Sequence, residues 1–571
     1  MKIRIKTEHR ALIAVVLSAA FFIVWYAVIN PSKQAAAPQA PAQSEATGSA
    51  PSEVKAQDGA VADPANPSAE AAAFADDPQS KIPARSIEIK NNLVAATISS
   101  DGGALTGWSL ADYTQGTDKG SPLIDLASGD VRDHRFLGLS VDGTGFTIPA
   151  NPRYEVVSST DSEVVLRWRR PGEITIVKKI SLAPDRYVAD VSVEVTNESA
   201  KPVSAKPGLS LSGINVPQEK KGFLSFMQPP QTDIVQPAYY SDGKVHREKK
   251  VAETVSVPGA VYWSGLESRY FISAVIPRVQ GEGLAAFYGA QKVEGEKPGT
   301  MELWAGASLP AAPIMPGQST SFAFTVYSGP KDIKQLKDMG VGLEKAIDYG
   351  WFSVIAVPIL YLLKFFHSLI HNYGVAIILL TVFVKLLLHP INVKSLKSMK
   401  AMQQLQPRLK ELQAKYKDDK QRLNAETMQL FKAHKVNPMG GCLPMVLQLP
   451  IYIALYKVLW SSIELYHAPF FWFYRDLSAP DPYLITPILL GVFMVAQQHL
   501  TPSASVDPAQ KKMMMFMPIM FTMFMLFLPV GLVIYILVNT VTSVTQQWMY
   551  NKGIGFMDLI RGRFKFRAAK A

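Results

Sequence analysis

The chain has 571 residues, 48% of them hydrophobic, a formal net charge of +11 and a single cysteine, Cys442. That length allows more than one domain, and one cysteine excludes an internal disulfide and a cysteine-rich metal site. There is no GxxxxGK[ST] loop, no GxGxxG following a strand and no HExxH, so no nucleotide partner, no cofactor and no metal are expected. Much of the Lys/Arg excess borders apolar runs, which is the positive-inside pattern of a membrane protein rather than the footprint of a nucleic-acid binder.

Residues 1–10 carry Lys2, Arg4, Lys6 and Arg10 against Glu8, and residues 11–29 carry no charge. A signal peptide is the alternative, but this apolar run exceeds the roughly 7–15 residues of such a segment. Asn30-Pro31 also stands where a cleavage site wants small residues. The reading is an uncleaved anchor with a cytoplasmic amino terminus. Residues 30–80, mostly Ala, Pro, Ser, Gln, Gly and acids, are too poor in large apolar side chains to fold and form a disordered tether.

From 81 to 330 the hydrophobic period becomes two. Tyr187–Asn197 alternates, with Asp190, Ser192, Glu194 and Thr196 on the wet face, and Ser86–Lys90, Val164–Arg169, Ile174–Leu182 and Ser321–Ser328 are further strands. Turn signals at Asp101-Gly102-Gly103, Asp142-Gly143 and Pro171-Gly172 punctuate them, giving a large all-β sandwich. Its histidines, His134 beside Asp133 and His246 near Glu248, lie in charge-rich stretches that read as exposed loops, and no motif surrounds them. No catalytic residue is assigned.

Residues 331–373 comprise a short polar helical linker and an amphipathic helix. Ile355, Ile359, Leu362, Phe366 and Leu369 share one face; Ser353, Lys364, His367 and Ser368 share the other. This places the helix in the membrane interface, with a spanning helix as the alternative. Residues 374–390 form a span closed by His389-Pro390, and 391–436 a strongly basic cytoplasmic helical hairpin. In the hairpin, Pro407 bends the first arm and Asp418 caps the second. Spans then follow at 437–461, 483–500, 513–528 and 531–549. They are joined by an acidic outer loop at 462–482 and a cytoplasmic loop at 501–512, and 550–571 is a basic cytoplasmic tail. With the anchor, these make six spans: a polytopic α-helical membrane protein plus a large all-β domain.

Lys385 is the one deep cation of this core. An ammonium there costs roughly 2.5–3.5 kcal/mol on insertion scales, so it faces a protein interior or wet cavity unless it snorkels to the headgroups. No Asp or Glu lies within any span. Thr381, Gln448, Tyr452, Tyr535, Asn539 and Gln546 are the polar company. As interhelical glue each contributes about 0.6 kcal/mol; converging on Lys385, they line a polar cleft suited to an acidic peptide segment.

A series of landmarks resembles the YidC family of membrane protein insertases. They are Asp348-Tyr-Gly-Trp351, Asn437-Pro-Met-Gly-Gly-Cys-Leu-Pro444, Gln448-Leu-Pro450, Asp507-Pro508, Phe516-Met-Pro518, Pro529-Val-Gly-Leu532, Asn539 and Gln546-Gln547. Gly259-Ala-Val-Tyr-Trp263 and Tyr327-Ser-Gly-Pro330 resemble the periplasmic domain of the Gram-negative branch, which has a sugar-mutarotase-like β-supersandwich without known catalysis. The resemblance implies a hydrophilic groove open to the cytoplasm and the lipid bilayer and closed toward the periplasm. It also implies nascent membrane proteins as clients, and the Sec translocon and the ribosome as partners, the last through the basic hairpin and tail. The groove's basic residue, usually arginine, is Lys385 here; Thr381 matches a groove-facing polar position, and Ile536 stands where relatives often have a second aromatic beside Tyr535. The implied location is the bacterial inner membrane. The alternatives are a secondary transporter, disfavoured by the absence of intramembrane carboxylates, and a membrane-tethered carbohydrate-acting protein.

Overall fold

The computed structural model describes residues 78–552 apart from 128–134, 150, 218–233, 250, 252–253, 294–296, 418, 435, 437–442, 472–473 and 501–507. The expected anchor at 11–29, nearly all of the tether, His134, Asp418 and the tail from 553 lie outside the described residues.

The β domain contains three antiparallel sheets among the described residues. The largest runs in the spatial order Lys244–Arg247, Gln236–Ser241, Val261–Glu267, Phe271–Pro277, Ser319–Pro330, Val188–Asn197, Ile174–Leu182, Glu163–Arg170 and Glu155–Ser159. A second sheet centres on Val203–Asn215, paired with Met301–Ser308, Ala312–Ile314 and Gly138–Thr144. The expected strands appear within a residue or two. Asp190, Ser192, Glu194 and Thr196 do take the wetter face of Val188–Asn197, because the period-two pattern permits only one register with valines inward. Phe271–Pro277 is buried at every position, so it has no alternation to read. His246 is not on a loop: it belongs to the strand Lys244–Arg247 and stacks on Tyr239 at 4.8 Å.

The linker is less polar in effect than its sequence. Helix α1 (Ile333–Asp338) is capped by the Asp332 carboxylate on two backbone N–H groups. Leu336, Leu343 and Ala346 complete the β-domain core. At this seam Glu267 is enclosed, with Arg247 on one carboxylate oxygen and Lys331 on the other at 2.8 Å. Burial alone would raise the Glu267 carboxyl, but the two cations hold it below its ordinary value.

Helix α2 (Ser353–Ile370) has two apolar faces rather than one. Ala356, Ile359, Leu360 and Leu363 pack inward, while Trp351 just before it, Val354, Tyr361, Phe365 and Leu369 point outward. Leu369 thus leaves the stripe on which the sequence placed it. Lys364 bridges Asp332 at 2.9 Å and Glu464 at 2.6 Å, joining α2 to the β-domain exit and to the outer loop.

Helix α3 runs unbroken from Tyr373 to Lys415, about 65 Å at 1.5 Å per residue, roughly twice a bilayer core. It continues past Pro390, so the expected span at 374–390 and the first arm of the hairpin are one helix. A helix-interior proline costs ~3 kcal/mol through its missing N–H and ring clash. Here packing of Met402, Leu405 and Leu409 against Phe431 rewards the extension. Helix α4 (Lys420–Ala433) returns as the hairpin's second arm, and its cap is Asp419, on Arg422 N, rather than Asp418. Helices α5 (Leu443–Ser461), α6 (Ile485–Leu500), α7 (Pro508–Met525) and α8 (Val530–Asn551) complete the core. Gly350–Ile370, Tyr373–Gln404 and Val530–Asn551 are long and apolar enough to cross a membrane; Ile485–Leu500 and Met515–Met525 are shorter apolar helices.

The β domain meets this core through the 463–475 loop. Ile463 enters the β-domain core, Tyr466 donates to Thr114 O at 3.0 Å, and Arg269 donates to Trp460 O while stacking over its ring at 3.8 Å. On the same side the α8 amino terminus is stitched to the loop by Val530 N–Ala479 O and Gly531 N–Leu477 O bonds, which satisfy two otherwise orphaned donors. Gly374 packs so closely under Phe470 that a Cβ there would lie 1.9 Å from the ring. These contacts close the β-domain end of the helical core.

Candidate functional site

Three helices each present polar groups one turn apart, so each forms a ladder on one face. Thr381, Lys385 and His389 climb α3; Gln448 and Tyr452 climb α5; Tyr535, Asn539 and Ser543 climb α8, with Gln546 beyond them. Helix α8 packs against both α3 and α5, and this brings the ladders together.

The contacts connect Gln448 to Lys385, with Gln546–His389 as a separate pair. Gln448 Nε2 donates to the Tyr535 hydroxyl at 3.1 Å, and the Tyr535 ring meets Tyr452 edge-on at 5.6 Å. Asn539 Nδ2 donates to the Tyr452 hydroxyl. Ser543 Oγ donates to Asn539 O at 2.7 Å and accepts from Lys385 Nζ at 2.7 Å. Gln546 Nε2 lies 3.3 Å from His389 Nδ1. Just below, Gln547 Nε2 donates to Leu500 O at 2.7 Å, tying α8 to the end of α6.

Thr381 stands apart. Its hydroxyl proton is spent on Ile377 O of its own helix at 2.6 Å, so it offers only lone pairs to a neighbour. Ser543 is the residue that the sequence set omits, although its spacing of four from Asn539 marks it. His389, read only as the end of a span, is the next rung of the same ladder as Lys385, toward the hairpin. Ile536 is buried, and Tyr535 makes its aromatic contact with Tyr452 instead.

Exposure is graded along the set. Tyr535 is 0% exposed and Thr381 1%, Asn539 5% and Lys385 7%, while Ser543, Gln546 and His389 are half-buried. On α3 and α8 the exposure of these residues thus rises toward the hairpin, while on α5 Gln448 is buried and Tyr452 half-buried. Lys385 has three N–H donors; one is used on Ser543, and among the described residues no carboxylate pairs with it. Chemically this is an electrostatic seat for an anion. Its one hydroxyl–amine contact is not set for proton abstraction, because Ser543 Oγ accepts from the Lys385 ammonium and gives its proton to Asn539 O, and no cluster of His, Cys, Asp or Glu among the described residues could hold a metal ion.

Comparison with known sequences supplies the lineage. The family described as YidC periplasmic domain matches residues 86–362, and that described as 60Kd inner membrane protein matches residues 365–556. The membrane protein insertase YidC of Geobacter metallireducens is 38% identical over 560 residues, covering 96% of this chain and 99% of that one. The chain belongs to the YidC family of membrane protein insertases. The YidC of Syntrophus aciditrophicus is 37% identical, with 95% and 99% coverage. A crystal structure of an active YidC insertase with its first transmembrane domain resolved aligns over 81% of this chain and 92% of that one, at 17% identity and a TM-score of 0.34. YidC proteins are insertases rather than enzymes, and the β domain of this bacterial membrane protein is the YidC periplasmic domain.

Proposed function

We propose that this insertase draws the short polar tail of a nascent membrane protein into the seam around Lys385 and releases the adjoining apolar span into lipid. The observation that carries the reading is the Lys385 ammonium: buried where α3 packs on α8, held by one hydroxyl, and without a carboxylate partner among the described residues. An acidic tail gains a countercharge there. Tyr452, Asn539, Gln448, Tyr535 and Gln546 replace part of the hydrocarbon that the tail would otherwise cross. Thr381 contributes lone pairs only. Burial of the client span drives the step at roughly 25 cal/mol per Å² of apolar surface. A membrane potential, positive outside, adds about 2.3 kcal/mol per negative charge per 100 mV.

In this reading α2 lies in the outer interface and the basic hairpin faces the cytoplasm of the bacterial inner membrane, with both termini on that side and the β domain in the periplasm. The hairpin and the 550–571 tail present cations to the ribosome or to anionic lipid. The Sec translocon is the partner for larger clients.

The test uses liposomes containing only the full-length protein, a single-span client with an acidic tail, and protease protection. Wild type is expected to protect the tail, Lys385→Arg to retain most of that protection, and Lys385→Glu to lose about tenfold, the scale of a charge-assisted contact. Equal protection by wild type and Lys385→Glu would remove the electrostatic role. No protection above protein-free liposomes would defeat autonomous insertion.

A further inference from the structure

Helix α8 changes character along its length. From Val530 to Asn539 all but Leu537 and Val538 are buried. This half is fixed by its backbone bonds to Leu477 and Ala479, by Tyr535 on Gln448 and by Asn539 on Tyr452. From Val541 to Asn551 only Gln547 and Met549 are buried. There α8 is held by side-chain contacts: Ser543 to Lys385, Gln546 to His389, Gln547 to Leu500 O, and Tyr550 under Lys400 at 5.5 Å.

The two halves meet at a cluster of hydroxyls. Thr540 Oγ1 donates to Ile536 O at 2.8 Å, and Thr542 Oγ1 is shared between Val538 O at 2.8 Å and Asn539 O at 2.9 Å. Ser543 Oγ donates to Asn539 O at 2.7 Å and Thr545 Oγ1 to Val541 O at 2.9 Å. A single bond of this kind, such as that of Thr381 on α3, is the ordinary fate of a hydroxyl in a span. Here the carbonyls of Ile536, Val538, Asn539 and Val541 each gain a hydroxyl donor beside the backbone N–H four residues on.

This second donor changes what bending costs. A spanning helix stays straight because a carbonyl that loses its N–H in hydrocarbon finds no water to replace it. In α8 such a carbonyl keeps its hydroxyl, and the Ser and Thr oxygens offer lone pairs to the released N–H. Hydroxyls bonded in this way bend helices. No proline or glycine lies between Leu532 and Asn551, so the hydroxyls are what this half of α8 has to bend with.

We propose that Thr540–Thr545 is a hinge, about which the hairpin-side half of α8 swings from α3 to admit a client tail to Lys385. The inference rests on the client-tail reading of Lys385. The swinging half is about 18 Å long at 1.5 Å per residue, so a bend of about 20° moves its end by about 6 Å. That is enough to pass an extended chain, whose neighbours in a sheet lie about 4.8 Å away. The same swing draws Ser543 off Lys385, so the ammonium is held at rest and released as the tail arrives.

The experiment places nitroxides on Leu387→Cys and Lys552→Cys, both exposed positions, in a Cys442→Ser background of the full-length protein in liposomes. Double electron–electron resonance reads their separation with and without a single-span client bearing an acidic tail, and protease protection reads insertion. In the wild-type hinge the client is expected to add a component longer by about 6 Å. Thr540→Val, Thr542→Val and Thr545→Val together remove three hydroxyls at nearly constant shape, and should cut both that component and tail protection about tenfold. The three corresponding Thr→Ser changes keep the hydroxyls and should keep both. A valine variant that bends and inserts like wild type would overturn the hinge, as would a serine variant as impaired as the valine one. Protected tails with no longer component in the wild-type hinge would overturn the hinge alone. Equal protection by Lys385→Glu would instead overturn the reading beneath it.

Discussion

Each half of the molecule buries a lysine that has no carboxylate partner among the described residues, and the two differ in what holds them. Lys178 lies on the inner face of Ile174–Leu182, between Leu166 and Val193 on the neighbouring strands. It is 0% exposed and donates to Gly103 O at 2.8 Å and Leu137 O at 2.5 Å. Burial pushes its ammonium down to about 7. Lys385 of the membrane core holds a single hydroxyl, that of the half-buried Ser543. A buried lysine is therefore not in itself a functional sign. Lys178 spends two donors on loop carbonyls and ties two loops to a sheet, whereas Lys385 spends one on Ser543 and, in the proposed mechanism, offers the others to a client tail.

The sharpest way to break this contrast is to truncate Lys178. Lys178→Ala leaves a void and two unmet carbonyls, and is expected to cost the β domain about 3 kcal/mol or more. Thermal unfolding of the full-length protein, followed by hydrogen exchange in β-domain peptides, checks this. Unchanged protection around Gly103 and Leu137 would show that the lysine ties nothing.

An effect of comparable size, spread over about three pH units, is expected from pH. The folded Lys178 value lies below the unfolded one near 10.5, so the unfolded state binds more protons between those limits. β-Domain stability should rise with pH from about 7 toward 10, by up to about 1.4 kcal/mol per unit, with the penalty fully present below 7. Lys178→Met should flatten the profile.

The smallest effects belong to the seam. Tyr452→Phe removes the acceptor of Asn539, and Ser543→Ala removes that of Lys385. Each should cost the helical core about 0.6 kcal/mol. Ser543→Ala should also leave tail protection in the liposome assay within about twofold, since the ammonium survives. A large loss of protection would mean that Ser543 aims the lysine rather than merely resting against it.

Periodicity, charge bias and polar spacing already carry the sandwich strands, the basic hairpin and the candidate groove residues, because these are local properties of the chain. Period two sets which face of Val188–Asn197 is dry, and a spacing of four sets which polar groups of α8 share a side. Three things depend on contacts between distant segments. The passage of α3 through Pro390 is decided by hairpin packing, which offsets the local cost of the proline. The inward turn of Leu363 and outward turn of Leu369 follow from α2 having protein on one side only. The inequality between Thr381, bonded within its own helix, and Lys385, bonded across to α8, arises because a side chain's hydrogen bonds are chosen by whichever partner comes within reach, and only the folded chain brings Ser543 to Lys385.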